Sequence, residues 1–158
     1  MEILHSDEIC TPPFGVSIFL AGPTPRSSSV LSWRPTAVDI LSSIDFHGFV
    51  FVPERNDWTV KFDYVDQIEW ELAGLLHCGV IAFWVPRDTE TMPAFTTNVE
   101  FGMYINSGKI LYGRPDGAPH TRYLDHLYNK ITGMKPFSSL NDLMVASVDK
   151  ANKVNYGF

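Results

Sequence analysis

The chain has 158 residues, 45% hydrophobic and 19% charged, which fits one compact domain with one core rather than a disordered segment. A formal net charge of −6, with 12 Lys and Arg that form no stripe, excludes an electrostatic footprint for polymeric nucleic acid while leaving room for a local spot that binds one phosphate. No apolar run is long enough to span a membrane, and no secretory signal is present. The two cysteines, Cys10 and Cys78, show neither CxxC nor metal-ligand spacing. The expectation is therefore a cytoplasmic protein without a membrane, metal or organic cofactor requirement.

In chain order, residues 1–15 are polar and carry Thr11-Pro12-Pro13, which reads as an N-terminal arm ahead of a single domain over 16–158. Val16 to Ala21 reads as a buried strand. Gly22 to Ser29 is turn chemistry. Trp33 to Ile44 has helical spacing, with Ser32 as N-cap and Pro35 in the first turn. Phe49 to Val52 is a second strand closed by Pro53, and Glu54 to Asp63 a polar loop. Val65 to His77 is a helix with Ile68, Leu72, Leu75 and Leu76 on its apolar face. Gly79 to Val85 is the clearest central strand, with Cys78 beside it as a small buried hydrophobe. Thr97 to Ser107 is a third helix, ended by Gly108. Lys109 to Tyr112 is a fourth strand and Tyr123 to Ile131 a helix. Met134 to Phe137 is a candidate fifth strand. The last helix begins near Ser139, where Ser139-Leu140-Asn141-Asp142 resembles a capping box. Strands alternating with helices predict an α/β domain, a doubly wound parallel sheet of four to five strands with helices on both faces.

In such a sheet, ligands bind beyond the C-terminal ends of the strands. Two segments fall at that edge. The first is the loop Gly22 to Ser29, whose hydroxyls and Arg26 suit a sugar or a phosphate. It is neither GxGxxG nor a P-loop, so neither a dinucleotide nor a nucleoside triphosphate is indicated. The second is Phe95 to Gly102. It sets Glu100 in what reads as the first turn of a helix, where the dipole favours an ionised carboxylate. Such a carboxylate, partly desolvated in a cleft, is what a glycosyl-transfer nucleophile must be. Thr97-x-x-Glu100 equally fits a capping box, which accounts for Glu100 without catalysis. Asp66, Glu69, Glu71 and Asp88 are further acids within reach of the cleft, with a solvated helix face as the other account of Glu69 and Glu71. Among the aromatics, Trp58 lies in a polar loop and is the best placed to touch a ligand. The five His show no metal spacing.

Taken together, Ser17 to Arg26, Ser32-Trp33-Arg34-Pro35, Gln67 to Glu71, Phe83 to Asp88, Thr96 to Gly102 and Ser107-Gly108-Lys109 resemble the nucleoside 2-deoxyribosyltransferase-like proteins, over about Val16 to Leu127. The resemblance implies a flavodoxin-like three-layer fold and an enzyme of nucleotide salvage that cleaves or transfers an N-glycosidic bond. Asn98-Val99-Glu100-Phe101-Gly102-Met103-Tyr104 matches the family segment that carries the glutamate nucleophile, which assigns Glu100 that role. The first-strand loop binds sugar in the family, which points to Gly22, Pro23, Thr24 and Arg26. Trp33, Asn98 and Gly102, from the matching segments, join these as substrate-binding candidates. Better-known members carry an Asp in the helix before the central strand; this chain has Gln67, Glu69 and Glu71 there, and Glu71 is the choice. Asp88 is carried over as a third catalytic candidate, although its separation from Glu100 is longer than in those members. There a neighbouring subunit's C-terminus completes the pocket, so the aromatic ending Tyr156-Gly157-Phe158 makes a homo-oligomer the expectation. Alternatives are a nucleoside 5′-monophosphate N-glycosidase, with Arg26 and the serines on the phosphate, and a non-catalytic nucleotide-binding sensor.

Overall fold

A computed structural model describes residues 1–8, 15–57, 59 and 63–154. Among the described residues, five strands and five helices follow in the order β1 (Glu2–His5), β2 (Ser17–Ala21), α1 (Arg34–Ser43), β3 (Phe49–Val52), α2 (Tyr64–His77), β4 (Val80–Trp84), α3 (Phe95–Tyr104), β5 (Ile110–Gly113), α4 (Arg122–Thr132) and α5 (Leu140–Val154). The sheet has the order β1-β3-β2-β4-β5, and every pairing is parallel. This is an α/β three-layer domain of the flavodoxin and Rossmann type.

Both faces of the sheet are covered, which is why its central strands read as unbroken apolar runs. Side chains alternate across it. Phe19, Ala21, Ile81 and Phe83 face the layer built by α2, α3 and α4. Ile18, Leu20, Val80, Ala82 and Trp84 face α1 and α5. Phe83, Phe101, Tyr112 and Tyr128 form a chain of edge-to-face rings through the first layer, a geometry that the ring quadrupole favours.

The first residues are not an irregular arm throughout: Glu2–His5 lies parallel to β3 at the edge of the sheet. Four residues, one exposed and three half-buried, give too short a pattern to separate from a loop, and pairing with β3 decides the matter. Met134 to Phe137 is not the fifth strand; Phe137 makes an isolated bridge to Gly113 beyond β5. Asp63 caps α2 by accepting from the Val65 amide at 2.7 Å, and the Ser139 hydroxyl accepts from Asp142 N at 3.3 Å at the head of α5, as its sequence signature implies.

From β2 the chain crosses through α1 to β3 on one side. It then returns through α2 to β4 on the other side of β2. The direction of winding reverses between β2 and β4, and at their C-terminal ends that reversal opens a crevice.

Leu41, on α1, has no exposed surface. Leu41→Ala is expected to lower the unfolding free energy by about 3 kcal/mol, read from urea denaturation, through lost burial and the cavity left behind.

Candidate active site

The crevice holds a cleft of about 250 Å³, near the lower end of small-ligand pockets. Its walls come from five segments: Ala21 to Thr24 with Arg26 at the end of β2 and beyond it, Arg34 at the head of α1, Pro53 after β3, the first turns of α2, and Pro93 to Thr97 with Glu100.

The loop after β2 is held from beneath. Gly22 has φ +150°, and a Cβ there would lie 2.1 Å from the Trp84 carbonyl oxygen and 2.9 Å from the Trp33 ring. Only glycine permits this approach between the ends of β2 and β4. Trp33 is buried and donates its indole N–H to Pro23 O at 3.1 Å. It supports the loop from behind and is not part of the cleft wall. Arg34 is 1% exposed. Its guanidinium donates to Leu20 O at 3.0 Å, Gly22 O at 2.6 Å, Thr24 Oγ1 at 3.0 Å and Glu54 Oε1 at 2.7 Å. Ser32, expected as the N-cap of α1, sits one position earlier than the cap; its hydroxyl accepts from Arg34 N at 3.2 Å and donates to Glu54 at 2.8 Å. Arg26 joins the two loops: its amide donates to Thr91 O at 3.0 Å, and its guanidinium lies over the Phe95 ring, 5.5 Å from the centroid.

The opposite wall differs from the sequence reading in a way that bears on chemistry. Helix α3 starts at Phe95, two residues earlier than expected, after Ala94 in the left-handed region at φ +61°. Thr97 is therefore inside the helix, 2% exposed, and no side-chain cap bond forms there. The capping-box account of Glu100 falls. Glu100 lies in the second turn rather than the first, too far in to be held ionised by the helix terminus, since that field fades within one turn.

Its carboxyl behaves accordingly. Burial in the cleft and the like charge of Glu71 push the pKa of Glu100 up to about 8, against a weaker opposing pull from Arg34. Glu71 faces it from α2, and burial raises its pKa as well, with the Gln67 amide, donating to Glu71 Oε1 at 3.0 Å, and Arg34 opposing. The expectation that a helix dipole keeps Glu100 ionised is thus reversed: desolvation wins, and the two carboxyls titrate as a pair.

The structure brings together Glu100, Glu71, Gly22, Pro23, Thr24 and Arg26 in one cleft. It leaves four candidates outside. Asp88 is exposed, and one of its oxygens accepts from the amides of Glu90 and Thr91 and from the Thr91 hydroxyl; its carboxylate shapes the loop after β4. Those contacts hold its pKa low, unlike that of a proton donor. Asn98 is exposed and accepts from Arg87, tying α3 to that loop. Gly102 is exposed, with open space where a side chain would be. Trp33 lies behind the loop, as described. Asp66 and Glu69 are exposed, the solvated-face reading. Trp58 lies outside the described residues.

Arg34, Tyr64, Gln67 and Thr97 also line the cleft, though none was chosen as a site residue from the sequence. For Arg34 a signal existed: it shares a face of α1 with the buried Ala37 and Leu41, and a cation on an apolar face needs a buried partner. Among the described residues, no group of three or more His, Cys, Asp or Glu could hold a metal ion, and no helix is long and apolar enough to cross a membrane.

The sequence model of the family described as "Nucleoside 2-deoxyribosyltransferase like" matches residues 15–118, about two thirds of the chain, and the protein belongs to that family. No curated protein matches the chain.

A carboxyl whose pKa is higher in the folded than in the unfolded chain stabilises the fold fully below the unfolded value, and that contribution is lost as pH rises through the folded one. For Glu100 the window runs from the ordinary glutamate value of 4.5 to about 8. Wild-type stability should fall across this range by on the order of a few kcal/mol, whereas Glu100→Gln should give a flatter profile in urea denaturation at successive pH values.

Proposed function

We propose that the protein cleaves the N-glycosidic bond of a nucleoside or deoxynucleoside through a covalent glycosyl-enzyme on Glu100, and passes the sugar to a second base or to water. The observation that carries this reading is the Glu71 and Glu100 pair: two carboxyls desolvated in one cleft at the switch point of the sheet, with the Gly22 to Thr24 loop opposite. Family membership supports it at the level of the class of chemistry.

The pair supplies both functions that glycosidic chemistry needs, provided it holds a single proton. In the free site the two carboxyls share that proton. Positive charge developing on the sugar favours ionised Glu100, and the proton moves to Glu71. A Glu100 oxygen then bonds to C1′ as the C1′–N bond breaks. The bonding pair leaves on the base nitrogen, which takes the proton from Glu71. In the second half, a nitrogen of another base, or water, attacks C1′; the Glu100–C1′ bond breaks, and Glu71 takes the proton back. Two displacements retain the configuration at C1′.

Glu100→Ala should abolish base exchange or base release, by about 10³-fold or more, with the fold intact by circular dichroism. The wild-type rate should be bell-shaped in pH. Double protonation stops turnover on the acid side, and loss of the shared proton stops it near pH 8. Chromatography of deoxynucleosides with and without a second base separates transferase from hydrolase. Wild-type-like turnover in Glu100→Ala would overturn the assignment, and ligand binding without turnover in the wild type would favour a sensor.

A second reading, hydrolysis of a nucleoside 5′-monophosphate, rests on one observation. A second hollow, of about 430 Å³ and lined by Ser27, Ser28, Ser32 and the carboxylate of Glu54, which Arg34 and Ser32 engage, adjoins the cleft and shares Thr24 and Arg26 with it. A phosphate on the 5′ side of the sugar would meet Arg26 there. On this reading Arg26→Ala raises KM for the nucleotide by about tenfold or more and leaves nucleoside turnover within about twofold; equal effects on both substrates would remove the phosphate from Arg26.

A further inference from the structure

We propose that Arg34 is the positioning residue of this site: its guanidinium holds the Gly22 to Thr24 loop in its binding shape and stands as the fixed positive charge facing the Glu71 and Glu100 carboxyls. The claim that the loop receives substrate rests on the glycosyl-transfer reading; the electrostatic half does not.

The geometry is that of a clamp. Arg34 opens α1, but its side chain runs beneath the β2 loop instead of into solvent. Nε reaches Leu20 O, near the C-terminal end of β2; Nη2 reaches Gly22 O; Nη1 reaches Thr24 Oγ1 and Glu54 Oε1. One planar fork thus joins β2, the loop and the end of β3. An ammonium has three donors at a single point and cannot make these bonds together. The loop residues it holds also line the cleft.

The charge is placed as deliberately as the donors. A buried cation needs a counter-charge, and Glu54 supplies it in an ion pair of 2.7 Å. Glu54 therefore sets how much of the Arg34 charge reaches the cleft. The groups that act on Glu100 are Glu71 from α2 and Arg34 from α1. Tyr104, further along α3, feels Glu100 in turn, and Arg26 lines the cleft from the β2 loop. Arg34 is the buried cation of this set.

Two substitutions divide the roles. Glu54→Gln keeps an oxygen for Arg34 and Ser32 but removes the counter-charge, so Glu100 should ionise more readily. Its titration, followed by carbon NMR of labelled glutamate carboxyls and assigned by subtraction of Glu100→Gln, should move down by about one pH unit, together with the basic limb of the rate profile. Arg34→Lys keeps the charge and loses the fork; KM should rise by about tenfold or more with the basic limb unmoved. An unshifted Glu100 titration in Glu54→Gln overturns the electrostatic role, and wild-type KM in Arg34→Lys overturns the clamp. Should Arg34→Lys fail to fold, wild-type KM in Thr24→Val, which removes one bond of the clamp, would overturn it in its place. The titration needs no substrate: a shifted Glu100 in a protein that turns over no nucleoside sinks the proposed function and leaves the Arg34 charge assignment standing.

Discussion

The buried Arg34–Glu54 pair is the interaction around which the functional end of this fold is organised. A guanidinium 1% exposed is tolerated only if its donors and its charge are both satisfied, and removing one partner of such a pair typically costs about 3–5 kcal/mol. Here satisfaction is achieved with backbone carbonyls at the end of β2, a hydroxyl in the loop and a carboxylate after β3. The same bonds that make the burial possible dictate the path of the loop. Gly22 contributes the complementary constraint, because the close approach to Trp84 leaves no room for a side chain. Loop shape is thus a consequence of what lies beneath it rather than of turn propensity alone.

The opposite wall shows a different balance. Near a helix terminus, a partial positive charge and desolvation compete for a carboxylate. Starting α3 at Phe95, from the left-handed Ala94, moves Glu100 beyond the reach of the terminal amides. Burial and the neighbouring Glu71 then dominate. Two acids that would each ionise in water become a pair that resists carrying two charges, an environment that suits reversible proton transfer between a nucleophile and a departing base.

The neighbourhood of the cleft also separates a carboxylate tied into a loop from one desolvated in the cleft. Asp88 and Glu100 both belong to the segment that follows β4. Asp88 accepts three bonds in an exposed loop and keeps a low pKa. Glu100 faces the cleft and is raised.

Periodicity alone was enough for the parallel α/β layer, because strands buried on both faces must be continuous apolar runs and the helices between them must be amphipathic. The placement of Gly22 to Arg26 and Glu100 at one sheet edge followed from chain order, since in a parallel sheet every loop that leaves a strand leaves at the same end. What the chain order did not contain was depth and direction. Glu2–His5 is a strand only because β3 offers an edge. Trp33, Asn98 and Gly102 share segments with cleft residues but point elsewhere, and neighbours in sequence on a helix diverge by about 100°. Whether Glu100 is ionised, and whether Arg34 is a surface cation or a buried clamp, depended on the water excluded by several separate segments. Pattern is a local property and is written in the sequence; desolvation is a property of everything packed around a group, and only the tertiary structure decides it.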